Sequence, residues 1–267
     1  LLITGSGPSG LASAYAAAKN GARVILAEDK PMFGGSLLTS DVNIGNQNGK
    51  EWAEKIISEL KAMPNVILKN RSQVFGYYDH NMLVMSERVS DHLPKTNKYI
   101  PKQRLWYIRA KEVVISSGSI ERPLVFGNND TPGVMLSSAA KEYLKVYGVL
   151  VGKKPLIFTN NDSGYETAIE FKKNGIDPII LDTRKDPNSE IINEAKNLKI
   201  DIKFSYVVVA AKGYKKVKSA DIATISEDKK QLSQIENINC DCICVSGFWT
   251  PTIHLASQSG NKTKFNE

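Results

Sequence analysis

Gly5, Gly7 and Gly10 lie at the spacing G-x-G-x-x-G, and Glu28 follows 18 residues after the last of them (28 − 10). Glycines so placed let bare backbone approach a bulky anion, and an acid at that distance can accept hydrogen bonds from a sugar diol. Gly5 permits a tight turn, Gly7 lets backbone meet a pyrophosphate, and Gly10 lets a helix pack closely on a strand. Pro8 and Ser9 stand where that helix begins. Proline is tolerated there because a first-turn N–H has no intrahelical partner, and the remaining free N–H groups favour phosphate. The constellation is that of a dinucleotide site. Glu28, with Asp29 beside it, would repel a 2′-phosphate, which favours NAD or FAD over NADP.

Further along, Gly34 and Gly35 with Ser36 would let backbone pass close to the same cofactor. Ser116-Ser117-Gly118 ends a later strand with small residues, and Gly247 ends another, so Ser117, Gly118 and Gly247 join the candidate binding set. No cysteine follows Gly35 closely, which excludes dithiol chemistry at that point. No residue stands out as catalytic, and no metal set is apparent. His80 and His92 read as polar-turn residues and His254 as a histidine of a helical turn. Cys240, Cys242 and Cys244 alternate in one apolar run, so all three are expected on one face of a strand as buried structural thiols.

The elements that must position these residues follow from periodicity. Leu1 to Glu28 reads as strand, glycine turn, helix, strand, acid. Gly49 to Met63 is a helix with Trp52, Ile56, Ile57 and Leu60 on one face, and Pro64 ends it. Strands are expected at Val66 to Leu68, Gln73 to Tyr78, Met82 to Arg88, Leu105 to Ile108, Val113 to Ile115 and Ile202 to Ala211, with a polar loop over Asp91 to Arg104. Met135 to Tyr147 reads as a helix with Ala139, Ala140, Tyr143, Leu144 and Tyr147 inward.

The second half repeats the first. At a constant offset of 154 (159 − 5), Gly10 falls on Gly164, Ala14 on Ala168, Asn20-Gly21 on Asn174-Gly175 and Glu28 on Asp182. Thr159 and Asn161 replace the two glycines that meet phosphate, so the second fold should persist with its nucleotide site weakened or lost. The fold class expected is α/β. Two Rossmann-like three-layer βαβ domains stand in the glutathione-reductase-like FAD/NAD-binding arrangement, the second inserted in the first. Residues 1–150 and 236–267 would form the dinucleotide-binding domain and residues 151–235 the degenerate one.

Composition bounds the class. With 267 residues and 42% hydrophobic content the chain can bury a core, and no apolar run approaches the ~20 residues that cross a bilayer. The formal net charge of +7 is scattered. It reads as a solvated basic surface rather than a nucleic-acid or membrane site, with a docking face for an acidic partner subunit as a further option. Three cysteines suit a reducing, cytoplasmic setting. The chain starts without methionine inside a strand, and is expected to be part of a longer protein.

Six segments in order carry a more specific resemblance. They are Phe33 to Leu38, Phe75 to Asn81, Ile120 to Phe126, Asn128 to Asp130 with Pro132 to Leu136, Phe158 to Ser163 and Ser257 to Gly260. The chain resembles the dinucleotide-binding region of the α subunit of heterotetrameric sarcosine oxidases. That resemblance implies an oxidoreductase that demethylates sarcosine to glycine, passing the one-carbon unit to tetrahydrofolate and electrons through FAD and FMN to oxygen. It implies a noncovalent NAD held by Gly5, Gly7, Gly10 and Glu28. It also implies FMN at a subunit interface, a β subunit that carries amine oxidation, and a hetero-oligomer. Read from the residues alone, the alternatives are a stand-alone or other amine or amino-acid dehydrogenase flavoprotein subunit with FAD at the first fingerprint, and a non-catalytic scaffold whose nucleotide is structural. Ser116-Ser117 stands where the family usually has Ala-Thr, and Phe248 where it often has glycine.

Overall fold

A computed structural model describes residues 1–267 except Thr96, Lys229, Asn261, Asn266 and Glu267. The chain divides into two compact units, residues 1–119 with 251–267, and residues 120–250. The second is inserted in the first.

The first unit opens with β1 (Leu2–Thr4), α1 (Pro8–Lys19) and β2 (Val24–Ala27). A small hairpin of β3 (Asn43–Ile44) and β4 (Gln47–Asn48) precedes α2 (Gly49–Ala62), whose N-cap Asn48 accepts the Lys50 N–H. Then come β5 (Val66–Lys69), β6 (Ser72–Tyr78), β7 (Met82–Arg88), β8 (Gln103–Arg109) and β9 (Val113–Ile115). The parallel sheet has the order β5-β2-β1-β9, and β6-β7-β8 form an antiparallel sheet. Alternation along β1 and β2 builds the layers. Ile3 and Leu26 pack with Leu11, Ala14, Ile56 and Leu60 of the helices, whereas Leu2 and Ala27 pack with Leu83, Met85 and Ile108 of the antiparallel sheet. Burying each such leucine or isoleucine contributes about 1.5–3 kcal/mol before entropy.

The chain crosses to the second unit along β10 (Ser119–Arg122). There follow β11 (Val134–Leu136), α3 (Ser137–Tyr147), β12 (Pro155–Thr159), α4 (Ser163–Lys173), β13 (Ile179–Asp182), α5 (Glu190–Asn197) and β14 (Asp201–Phe204). Next are β15 (Tyr206–Lys212), β16 (Ser219–Thr224), β17 (Glu236–Asn239) and β18 (Cys242–Ser246). The chain returns along β19 (Phe248–Pro251), which pairs with β10, and ends in α6 (His254–Gln258). The plan is again three layers. A parallel sheet, β11-β18-β12-β13-β14, turns Ile157 and Ile180 toward Tyr165, Phe171 and Ile192, and Leu156, Phe158 and Leu181 toward Val208 and Ile222 of the antiparallel β15-β16-β17 sheet.

The repeat is visible in detail. The matching helices α1 and α4 both stop at Asn-Gly. Asn20 and Asn174 each bond their own helix through the side-chain amide, to Ala16 O at 2.8 Å and Glu170 O at 2.9 Å. Gly21 and Gly175 then turn at φ 82° and 79°, the left-handed region that favours glycine.

Four expectations need correction. The crossings fall at 119/120 and 250/251 rather than 150/151 and 235/236. Val134 to Leu136 forms a strand paired with β18, and α3 packs on α4, which draws this whole stretch into the second unit. Helix α3 begins at Ser137, and its buried side is Ser137, Ala140 and Lys141, so Tyr143 and Tyr147 lie outside, their rings tilted at 51° with centroids 6.2 Å apart. The expected strand over Ile202 to Ala211 is broken by Ser205 at φ 59°, which turns the chain from one sheet into the other. The cysteines do not share one face. Cys242 and Cys244 face the helices, and Cys240 joins the opposite core layer, because the strand begins only after Asp241, whose carboxylate accepts the Lys153 and Lys154 N–H groups. All three thiols are buried, and burial with the neighbouring Cys242 and Asp241 pushes Cys240 up to about 12. The loop over Asp91 to Arg104 includes Thr96, which lies outside the described residues.

Candidate functional site

The glycine loop between β1 and α1 is shaped by contacts that a side chain would break. At Gly5, φ is 91° and a Cβ would meet Ser116 O at 2.3 Å; at Gly10 it would meet Gly5 O at 1.9 Å. These two glycines serve the fold. Gly7 differs: a Cβ there would meet nothing within 4 Å. The first intrahelical bond of α1 runs from Leu11 N to Gly7 O, which leaves the Ser9 and Gly10 amides without intrahelical partners. No side chain caps this helix, Pro8 occupies its first turn, and that turn has no acid. The result is a bare, partly positive helix end with open space beside Gly7 for an anion.

Glu28 directly follows β2 and is 6% exposed. One of its oxygens, Oε2, accepts the Ser6 N–H at 2.9 Å and the Ser6 hydroxyl at 2.5 Å, and Oε1 accepts the Lys30 N–H at 3.0 Å. Burial pushes its carboxyl up and neighbouring Asp29 adds to this, against the Ser6 and Lys30 bonds. Asp29 itself is exposed, and its carbonyl accepts from Arg88.

The Gly34-Gly35 turn lies on this loop. The Gly34 N–H reaches both Ser6 O and Ser6 Oγ at 3.1 Å, and a Cβ at Gly35 would meet Gly7 Cα at 2.7 Å. Ser36, next in the turn, is exposed. At the end of β9, Ser117 Oγ donates to Thr252 O at 2.8 Å and Gly118, with φ 66°, accepts the Thr252 N–H. Gly5, Gly7, Pro8, Ser9, Gly10, Glu28, Asp29, Gly35, Ser36, Ser117 and Gly118 therefore all belong to the first unit. Gly247 falls in the second, where a Cβ would meet Arg122 O at 2.6 Å, so its glycine is accounted for by the neighbouring strand. The residue the glycine pattern did not single out is Ser6. Its signal was a small polar side chain between the two glycines.

The second copy shows what the exchanged residues do. Thr159 Oγ1 donates to Asn161 O and accepts the Asn161 N–H. The Asn161 side chain donates to Ser246 O and Gly247 O at 3.2 and 2.8 Å, and its Oδ1 accepts the Ser163 N–H at 2.8 Å. Asn161 thus occupies the end of the helix that Gly7 leaves open in the first copy. Asp182, the counterpart of Glu28, is fully buried and accepts from Tyr165 Oη at 2.7 Å and from the Arg184 guanidinium at 2.8 Å. Burial, together with the Asp182 bond, pushes the Tyr165 hydroxyl well above its ordinary range. Gly164 keeps its packing role, since a Cβ there would meet Thr159 Cβ at 2.7 Å. Among the described residues no three His, Cys, Asp or Glu side chains cluster as a metal site, and no helix is long and apolar enough to cross a membrane.

The model of the pyridine nucleotide-disulphide oxidoreductases matches residues 1–266. The chain belongs to that family. Its curated relatives include sarcosine oxidase subunit alpha of Rhizobium meliloti (strain 1021), 37% identical over 98% of this chain and 25% of that protein. The same subunit of Corynebacterium sp. (strain U-96) is 31% identical over 100% of this chain and 28% of that one. The chain thus spans about a quarter of the length of these relatives. Among solved structures, thioredoxin reductase of T. acidophilum superposes with a TM-score of 0.73 at 17% identity, covering 98% of this chain and 81% of that one. The family fold is the FAD/NAD(P)-binding one expected from the repeat, and it indicates a flavin or nicotinamide nucleotide as cofactor. The disulphide of the family name has no counterpart near Gly35, because the only cysteines are Cys240, Cys242 and Cys244.

Proposed function

We propose that this chain is the NAD-holding part of the α subunit of a sarcosine oxidase-type complex, and that it does not itself oxidise the amine. One observation carries the reading: the helix end at Gly7 is open and uncapped, whereas Asn161 fills its counterpart. The amides of Ser9 and Gly10 and the space at Gly7 suit a pyrophosphate, and Glu28 suits the adenosine ribose. Glu28 and Asp29 together disfavour a 2′-phosphate. Gly35, Ser36, Ser117 and Gly118 would line the remainder, and NAD would supply or store a hydride. Partners of this chain would be the other subunits, the β subunit first, with FMN at a subunit interface and the amine-oxidising FAD outside this chain. The unpaired cysteines suit a cytoplasmic setting.

The test is to denature the purified protein, identify any released nucleotide by chromatography and absorbance, and titrate NAD if none is found. Tightly held or titratable NAD without flavin supports the reading. Stoichiometric FAD that NADH bleaches overturns it in favour of a flavin reductase.

A further inference from the structure

Ser6 is fully buried, and its hydroxyl sits between the two parts of the first site. It donates to Glu28 Oε2 at 2.5 Å and accepts the Gly34 N–H at 3.1 Å, while its own N–H donates to the same Oε2 at 2.9 Å. A carboxylate offers about four acceptor positions. Ser6 takes two on Oε2 and the Lys30 N–H takes one on Oε1. Burial and Asp29 both favour the protonated carboxyl of Glu28, and the Ser6 donors oppose them. Glu28 has few other ways to turn, since it is buried directly after β2.

We propose that Ser6 is the positioning residue of this site: its hydroxyl fixes Glu28 for the ribose and ties it to the Gly34-Gly35 turn that rests on Gly7. The proposal rests on the reading of this loop as the nucleotide site. It adds that the geometry of the acid is set before the nucleotide arrives, so affinity gained at Glu28 depends on a side chain that never touches the ligand.

The test is a double-mutant cycle read by NAD titration, with thermal melting as a control for folding. Ser6→Ala is expected to weaken binding about tenfold and Glu28→Ala at least tenfold, the range of a hydrogen bond involving a charged group. The double variant is expected to bind within about twofold of Glu28→Ala, because Ser6 acts through Glu28. A merely structural role would give additive losses, and that result would overturn the proposal. So would a Ser6→Ala protein that binds like wild type while Glu28→Ala is weakened. Wild type that binds no NAD would overturn the reading of the site, and with it the role of Ser6.

Discussion

Asn161 Oδ1 accepts the Ser163 N–H at 2.8 Å, the bond a bound phosphate would make if this helix still served one. The side chain replaces the ligand and is held by two carbonyls of the adjacent strand end, Ser246 O and Gly247 O. Asn161→Gly is expected to cost about 1–3 kcal/mol in denaturant unfolding, the usual cost of stripping partners from buried groups. NAD affinity at the first loop should not change.

Asp182→Ala should separate the two copies more sharply. It removes a buried carboxylate from Arg184 and Tyr165, so a stability loss of about 3 kcal/mol is expected. NAD titration of the folded fraction should match wild type. Glu28→Ala, in contrast, should weaken NAD by about 1.5–3 kcal/mol. Equal binding losses from the two substitutions would sink the assignment of the nucleotide to the first copy.

Gly7→Ala and Gly10→Ala divide binding from folding. Gly7 has φ −65°, which any residue adopts, and its Cβ would enter free space, so the variant should melt within about 0.5 kcal/mol of wild type. It should still lose most nucleotide affinity, because that methyl enters the anion's place. Gly10→Ala drives a methyl into Gly5 O, and unfolding or poor expression is expected.

Two carboxylates give opposite pH dependences. Burial pushes Glu87 up, but bonds from Lys69 and Trp106 and the Arg104 charge outweigh it and hold the carboxyl below its ordinary 4.5. Its contribution is present above 4.5 and lost as pH falls through the folded value. Glu87→Gln should therefore cost about 1–2 kcal/mol at neutral pH and little in strong acid. Glu28 is raised, so its contribution is complete below 4.5 and lost as pH rises through the folded value. Melting Glu28→Gln against wild type from pH 4 upward should show the variant gaining ground.

Most of this architecture was legible because it rests on local chemistry. The Asn-Gly stops at Asn20 and Asn174, the glycines at 5, 7, 10 and 164, and the apolar runs at β1, β2, β12 and β13 all act within one βαβ unit. What escaped depends on distant partners. Val134 to Leu136 is too short to announce a strand, and only its pairing with β18 makes it one. The helical stripe of α3 offered two faces, and packing on α4 selected the one without tyrosines. Cys240 left the expected face because Asp241 is drawn to the Lys153 and Lys154 amides, residues far back in the chain. Ser6 was visible as a residue but not as a hub, since its partners Glu28 and Gly34 meet it only after β2 and the following turn are in place.

The first unit is built from both ends of the chain. Thr252 closes against Ser117 and Gly118, and Gln258 accepts the Tyr77 N–H at 2.8 Å. During synthesis, residues 120–250 leave the ribosome before either of those closing contacts can form. The inserted unit has its five-stranded and three-stranded sheets and both cores within its own stretch, so it can finish folding while the nucleotide loop still waits for its last segment. The barren copy of the repeat thus matures before the fertile one.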